Sequence, residues 1–374
     1  DFHEDDYYYL NNQDGTFSES LANAFSTISR FSMGSDAADI NGDGYQDIIV
    51  GNDFGTNAYY INQKDGTFLD KSKELGTDKP SFTMGIGISD LNKDLIPDYY
   101  ISNIVVMEKD DKYVLPNQET TQHFNINSLS NMRVVEANDL FISYKMDSLI
   151  PHYVLSDQIG RGFSSTGWSW DADFFDFDND GDDDIYCLTG MNPYNIYGEG
   201  SDYYGTDSNK DKKLMFAQSH GDENILFSNN EGKLSIVEKS GGLNYNGTSR
   251  SAVYLDIDND GDLDILTNEY HGKSKLFINQ LKPKNTNWIK IKLESLNNET
   301  NRDAIGSKII VRTPDGNIQY KQLSSTTGYL SSHPKTLHFG LGRNNECELK
   351  IIWPNGLEES LTIINVNQTL KITQ

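Results

Sequence analysis

Four acidic segments of nine residues are the part of this 374-residue sequence whose residue types and spacing could do chemistry. Each has the form D-x-[DN]-x-D-x-x-x-D, and we number them loop 1 (Asp39–Asp47), loop 2 (Asp90–Asp98), loop 3 (Asp176–Asp184) and loop 4 (Asp256–Asp264). Side-chain oxygens at the first, third, fifth and ninth positions, with a carbonyl at the seventh, suit Ca²⁺, which takes about six to eight oxygen ligands. The spacing therefore predicts calcium binding.

The predicted ligands occupy the same positions in all four loops. They are Asp39, Asn41, Asp43, Tyr45 and Asp47; Asp90, Asn92, Asp94 and Asp98; Asp176, Asp178, Asp180, Asp182 and Asp184; and Asp256, Asp258, Asp260, Asp262 and Asp264. Loop 2 is the weakest, because Leu95 replaces the glycine of the other loops and Pro97 stiffens the exit. Whether loop 2 holds an ion stays open, so we expect three or four ions. An EF-hand is excluded, because that loop closes with Glu at the twelfth position.

The alternative interpretation is that these residues form ordinary turns on a solvated acidic face, since Asp, Asn and Gly all favour turns. A single loop would favour that alternative. Four loops at equivalent positions favour calcium, because clustered carboxylates repel one another unless a cation neutralises them. We expect the ions to stabilise the fold rather than to catalyse a reaction.

Short strands must position these loops. Alternating apolar residues follow each loop, as in Ile48–Val50, and a second hairpin lies further along, turned at Asp65-Gly66 and echoed earlier at Asp14-Gly15. Two hairpins per repeat give a four-stranded unit, and such units stack radially because none buries both faces alone. The sequence therefore predicts an all-β protein with a β-propeller over residues 1–284.

The spacing of the repeats is uneven. Loop starts at positions 39, 90, 176 and 256 are separated by 51, 86 and 80 residues, so the longer intervals contain either insertions or blades without the acidic pattern. Both alternatives stay open. The chain enters with a second hairpin, Tyr8 to Phe17, so we expect it to start in the middle of a blade and a closed ring to need further residues.

Residues 285–374 form a second predicted domain. Apolar and polar residues alternate there, as in Trp288–Leu293, and turns fall at Pro314–Gly316 and Pro354–Gly356. This pattern predicts a small antiparallel β-sandwich or barrel-like domain. The two cysteines, Cys187 and Cys347, fall in different predicted domains, and we expect both to be free thiols.

Composition excludes several classes of function. The chain has 56 acidic and 31 basic residues, a formal net charge of -25, which opposes binding to nucleic acid or to anionic membranes. Direct membrane insertion is not expected, because no run of eighteen apolar residues occurs. The seven histidines form no zinc motif, and no nucleophile-elbow or phosphate-loop motif is present.

The acidic loops resemble the FG-GAP or VCBS repeats of integrin α-subunit propellers, over about residues 1–280. The stretch Gly167–Gly181 is similar to a signature of the cartilage acidic protein and UnbV group. Four C-terminal motifs stand in the order expected of an ASPIC/UnbV module: Asn301–Ile309, Gly328–Ser331, His338–Gly342 and Trp353–Gly356. The resemblance implies a secreted or cell-surface calcium-binding protein with an adhesion or matrix role, and it implies that Trp168 and Trp170 are core residues.

These observations favour a secreted interaction or adhesion module whose partner is a protein or glycan at the cell surface or in the matrix. The main alternative is an enzyme, such as a lyase, hydrolase or biosynthetic cyclase, with acid-base residues on the propeller axis. A carboxyl group of raised pKa outside the loops would favour the enzyme. A third interpretation is a structural repeat within a larger chain or assembly. A candidate ligand-binding loop carries four tyrosines, Tyr194, Tyr197, Tyr203 and Tyr204.

Overall fold

The computed structural model describes residues 7–19, 32–53, 55–79, 81–103, 106–109, 112–114, 132–135, 138–144, 150–156, 169–190, 223–270, 272–281, 286–296 and 300–374. Nearly all regular structure in these ranges is β-strand, which confirms the predicted all-β class. The first two strands, β1 (Tyr9–Asn11) and β2 (Phe17–Glu19), form an antiparallel hairpin.

Four antiparallel sheets follow, one for each acidic loop. Sheet 1 contains β3 (Ser32–Ala38), β4 (Asp47–Asn52), β5 (Ala58–Asn62) and β6 (Phe68–Asp70), and the short helix α1 (Ser72–Leu75) follows it. Sheet 2 contains β7 (Thr83–Ser89), β8 (Asp98–Asn103), β12 (Asp139–Tyr144) and β13 (His152–Leu155). Sheet 3 contains β14 (Ser169–Phe175), β15 (Asp184–Thr189), β16 (Ile225–Asn230) and β17 (Lys233–Ile236). Sheet 4 contains β18 (Ser249–Leu255), β19 (Asp264–Glu269) and β20 (Lys275–Phe277).

The long intervals between loops are insertions within sheets. In sheet 2 a small separate sheet of β9 (Val106–Lys109), β10 (Lys112–Val114) and β11 (Met132–Val135) lies between the second and third strands. In sheet 3 residues 190–224 connect β15 to β16, which pair with each other. The question that the spacing left open is therefore answered in favour of insertions.

Apolar residues fill the space between successive sheets. Tyr59 of sheet 1 packs with Tyr99 of sheet 2, at 5.5 Å between ring centroids, and Phe175 of sheet 3 stacks on Tyr254 of sheet 4 at 4.2 Å. The first strands are also neighbours in chain order: β3 packs against β7, β7 against β14, and β14 against β18. A single sheet of this kind cannot bury both of its faces, so each sheet needs a similar sheet beside it. The sequence therefore repeats the same unit.

The C-terminal residues form two further sheets around a core of their own. One sheet contains β21 (Asn287–Glu294), β24 (Thr336–Gly342) and β27 (Gln368–Thr373). The other contains β22 (Lys308–Arg312), β23 (Ile318–Gln322), β25 (Glu346–Ile352) and β26 (Glu358–Asn365). The pairing is antiparallel except between β21 and β27, which are parallel because the end of the chain returns beside the start of the module.

Cys187 and Cys347 lie in different apolar cores, so no disulfide joins them. Within the described residues, no helix has the length and apolar character needed to cross a membrane.

Candidate calcium sites

Each acidic loop connects the first strand of a sheet to the second, and the four loops share one backbone conformation. In loop 3 the carboxylate of Asp176 accepts the N–H groups of Asp180 at 3.2 Å and Gly181 at 2.9 Å, the fifth and sixth residues. The same pair of bonds occurs in loops 1, 2 and 4. The first aspartate therefore fixes the turn in every loop.

The ninth aspartate attaches the loop to its sheet. In loop 3, Asp184 accepts the N–H of Phe177, the second loop residue, at 3.0 Å and that of Asn229 on β16 at 2.8 Å. Corresponding bonds occur in the other loops. An ionised carboxylate has about four lone-pair positions, so each oxygen that accepts one hydrogen bond can still bind a cation.

Two residues in each loop have a left-handed backbone, and this explains the glycine and asparagine pattern. In loop 3 these are Asn179, with φ 62°, and Gly181, with φ 91°. Both residue types enter this region at low cost. In loop 2 the sixth residue is Leu95, with φ 69°, and the loop keeps the shared conformation in spite of that strain. Loop 2 therefore differs from the other loops by its backbone strain at Leu95 and not by its shape. Whether it binds calcium less well stays a prediction.

Loop 3 brings its acidic side chains closest to the arrangement that calcium needs. One carboxylate oxygen from each of Asp176, Asp178 and Asp184 lies within 4.8 Å of the others. Oδ1 of Asp178 is buried and has no hydrogen-bond partner in the described part of the chain. A buried carboxylate oxygen without a partner is costly, and a cation would satisfy it. The residues of loop 3 therefore fit a calcium ion.

Repulsion within loop 3 is visible in its acid groups. Burial and the neighbouring charge of Asp180 raise the pKa of Asp176 well above its ordinary value. Burial and the charge of Asp178 raise the pKa of Asp180 to about 7. Burial and the charge of Asp176 also raise the pKa of Asp184 well above its ordinary value. A bound cation would remove this penalty by favouring the ionised forms.

Loop 4 gathers Asp256, Asp258 and Asp260, whose oxygens also lie within 4.8 Å of one another, but two of these residues are exposed. In loops 1 and 2 the third-position amides donate to the fifth carboxylates: Asn41 to Asp43 at 3.0 Å and, more weakly, Asn92 to Asp94 at 3.3 Å. These loops have the same backbone as loop 3, but their side chains partly satisfy one another.

The C-terminal module contacts all four loops, which the sequence did not predict. Lysine side chains from its strands reach loop carboxylates: Lys308 pairs with Asp39, Lys290 with Asp256, and Lys321 with Asp183 at 2.7 Å. In loop 2, Lys93 donates to Asn317 at 2.6 Å. The sequence held one sign of this contact: Lys290 lies between the apolar residues of β21. In the structure Lys290 is only 8% exposed.

Other predicted features lie elsewhere. Tyr194, Tyr197, Tyr203 and Tyr204, like Trp168, fall outside the described residues. Trp170 is partly buried, with the guanidinium of Arg250 at 4.1 Å over its ring and Tyr329 of the C-terminal module at 5.5 Å.

Two family models match parts of the chain. A family model described as "FG-GAP-like repeat" matches residues 1–50 and 39–101, and one described as "ASPIC and UnbV" matches residues 297–374. The similar curated proteins include cartilage acidic protein 1 of Homo sapiens, 21% identical over 87% of this chain and 42% of the relative. The Mus musculus protein of the same name is 22% identical over the same shares. The Xenopus tropicalis protein is 23% identical over 83% of this chain and 40% of the relative.

The chain spans about two fifths of the length of these relatives. It carries FG-GAP-like repeats, which indicate a propeller-like fold, followed by an ASPIC and UnbV domain, and its similarity to cartilage acidic protein 1 confirms the identification that the acidic loops and the C-terminal motifs predicted.

Proposed function

We propose that this protein is an extracellular calcium-binding propeller module that presents a rigid surface to a protein or glycan partner. The observation that carries the proposal is loop 3, where three carboxylates converge and one buried oxygen has no hydrogen-bond partner among the described residues. Calcium would be held there by Asp176, Asp178, Asp180 and Asp184 with the carbonyl of Asp182. Its role would be to neutralise the cluster and so stabilise the connection between β14 and β15.

Loop 4 offers a second site through Asp256, Asp258, Asp260 and Asp264, although Lys290 competes for Asp256. Loop 1 has the same difficulty, because Lys308 contacts Asp39. Calcium in these two loops must displace a tethered cation, so we expect weaker binding there than in loop 3. Loop 2 would bind through Asp90, Asn92, Asp94 and Asp98 at the cost of the strained Leu95.

An extracellular location is consistent with this ranking, because extracellular calcium modules work at dissociation constants as weak as about 10⁻⁴ to 10⁻³ M. The curated relatives are named for cartilage. An adhesion role and the partner itself are part of the proposal, and the strongly acidic surface favours a partner with a basic face.

The test is thermal unfolding in excess calcium and in excess chelator, together with metal analysis of the purified chain. We expect calcium to raise Tm and to bind at least one equivalent per chain, first at loop 3. Equal Tm values and no bound metal would return the four loops to ordinary turns. For the partner, immobilised chain should retain a basic matrix protein or glycan only in calcium, and retention unchanged by chelator would contradict the role given to the ions.

The enzymatic alternative requires a carboxyl group of raised pKa outside the loops. Burial and the charge of Asp173 raise the pKa of Asp36, on β3, to about 7. By that criterion, Asp36 favours the enzymatic alternative.

A further inference from the structure

A cavity of about 160 Å³ lies where the C-terminal module meets the first strands of the sheets. Its walls come from Asp36 on β3, Asp173 on β14 and Tyr254 on β18, and from the segment 324–338 of the C-terminal module. One buried water needs roughly 10–15 Å³ on this measure, so the cavity could hold a small organic molecule. It forms only when both parts of the chain are in place.

Asp36 is the group in this cavity whose hydrogen bonds are incomplete. The residue is 8% exposed, and its Oδ1 accepts the N–H of Ala37 at 2.7 Å and the hydroxyls of Ser324 at 3.2 Å and Thr326 at 3.3 Å. Its Oδ2 accepts no hydrogen bond from any described residue. An ionised carboxylate oxygen that no protein group bonds takes its donor from solvent or from a ligand, and a cation supplies the strongest donor.

Both oxygens of Asp173, by contrast, accept hydrogen bonds. Its Oδ1 accepts the N–H of Phe174 at 2.8 Å, and its Oδ2 accepts the hydroxyl of Thr327 and Nε2 of His333 at 2.9 Å. Nδ1 of His333 accepts the N–H of Tyr254 at 3.3 Å, so the ring proton is on Nε2 and is donated to Asp173. His333 therefore donates its hydrogen bond to Asp173 and not to Asp36.

The other basic groups that line the cavity also bond to partners other than Asp36. Lys321 pairs with Asp183 at 2.7 Å. His338 donates from Nε2 to the carbonyl of Gly261 at 3.0 Å, and burial lowers its pKa to about 4, so it is neutral. The described walls therefore offer no unpaired cation to either carboxylate, Asp36 or Asp173.

We propose that this cavity binds a small organic cation, an amine or amidinium-type group, which donates hydrogen bonds to Oδ2 of Asp36. The aromatic rings of Tyr254 and Tyr320 line the same space and suit the apolar part of such a ligand or its charge. A metal ion fits less well, because Ca²⁺ takes about six to eight oxygen ligands and the lining carboxylates without a lysine partner, Asp36 and Asp173, offer at most four. This site is separate from the acidic loops.

The experiment compares two probes of the same shape, acetamidinium and neutral acetamide, on the calcium-loaded full chain. Saturation-transfer NMR and calorimetric titration should detect acetamidinium and not acetamide. Asp36→Asn keeps an acceptor for Ser324 and Thr326 but removes the charge, so it should weaken acetamidinium binding by at least about tenfold. Asp78→Asn, at an exposed aspartate away from the cavity, is the matched control and should bind as the unaltered chain does.

Three results would overturn the proposal: equal binding of both probes, acetamidinium binding that survives Asp36→Asn, or no binding to the unaltered chain. Loss of one calcium equivalent in Asp36→Asn would show a metal site instead. The comparison of probes on the unaltered chain stands even if Asp36→Asn does not fold. Because the loops are calcium-loaded throughout and their metal content is measured separately, failure here is distinguishable from failure of the calcium proposal.

Discussion

Asp178→Asn should remove the calcium stabilisation of loop 3 without harming the calcium-free protein. Oδ1 of Asp178 accepts no hydrogen bond within the part of the chain that the structure describes, and burial followed by the charge of Asp182 raises the pKa of Asp178, so its charge is unfavourable when no metal is present. Calcium at a hundred times its dissociation constant contributes about 2.7 kcal/mol per site. If the substitution raises that constant about a hundredfold, the contribution falls to about 0.4 kcal/mol.

The assay is Tm in calcium and in chelator for Asp178→Asn and for the matched variant Asp184→Asn. The oxygens of Asp184 accept N–H groups of Phe177 and Asn229, and an amide NH₂ would face one of these donors. Asp184→Asn should therefore cost about 2–3 kcal/mol in chelator and more in calcium, because Asp184 is also a proposed ligand. Asp178→Asn should lower Tm by about 3 °C in calcium only.

The difference between these two variants tests the reasoning. If Asp178→Asn lowers Tm equally in chelator and in calcium, its carboxylate supports the fold directly and our account of loop 3 is wrong. If the calcium-dependent rise in Tm is unchanged, the ion is bound elsewhere.

Leu95→Asn should stabilise the protein by up to about 1 kcal/mol in urea unfolding, because asparagine tolerates the left-handed conformation of φ 69°, and a loss of stability would refute the strain. Gly44→Ala should cost about 1 kcal/mol for its φ of 91° alone, since an added Cβ meets nothing within 4 Å. Gly261→Ala, at the same loop position, should cost clearly more, because its Cβ would clash with the indole of Trp288; equal costs would contradict the packing. Burial and neighbouring acids raise the pKa of Asp98 to about 7, so the folded state binds more protons and the chelated protein should gain Tm as the pH falls from about 8 to 5. Calcium should oppose this gain in Tm, because protons compete with calcium for the same carboxylates. A fall in the Tm of the chelated protein as the pH falls would contradict the prediction.

The sequence predicted the repeated unit well because the unit is encoded locally. The first aspartate of each loop bonds to residues four and five positions later, and in loops 1, 3 and 4 glycine or asparagine occupies the positions where φ is positive. These are short-range requirements, so they recur as a visible pattern. The uneven intervals were not decided by the sequence, because strand pairing across an insertion, such as β15 with β16, leaves no local pattern.

Binding at the loops depends on more than their own residues. All four share one spacing, yet Lys308 and Lys290 occupy the first carboxylates of loops 1 and 4, and these lysines lie 269 and 34 residues away in the chain. The predicted calcium ligands themselves, and the number of ions, stay predictions until metal is measured.

The sequence by itself determined the all-β class, the acidic turns and the order of the two parts of the chain, because turn chemistry and strand alternation act over a few residues. Only the tertiary structure decided which carboxylates lie together in one cavity. Asp36 and Asp173 are 137 positions apart and belong to different sheets, and the segment that closes their cavity comes from the C-terminal module. Burial and the distance to the nearest counter-charge set the properties of these groups, and both arise only from packing.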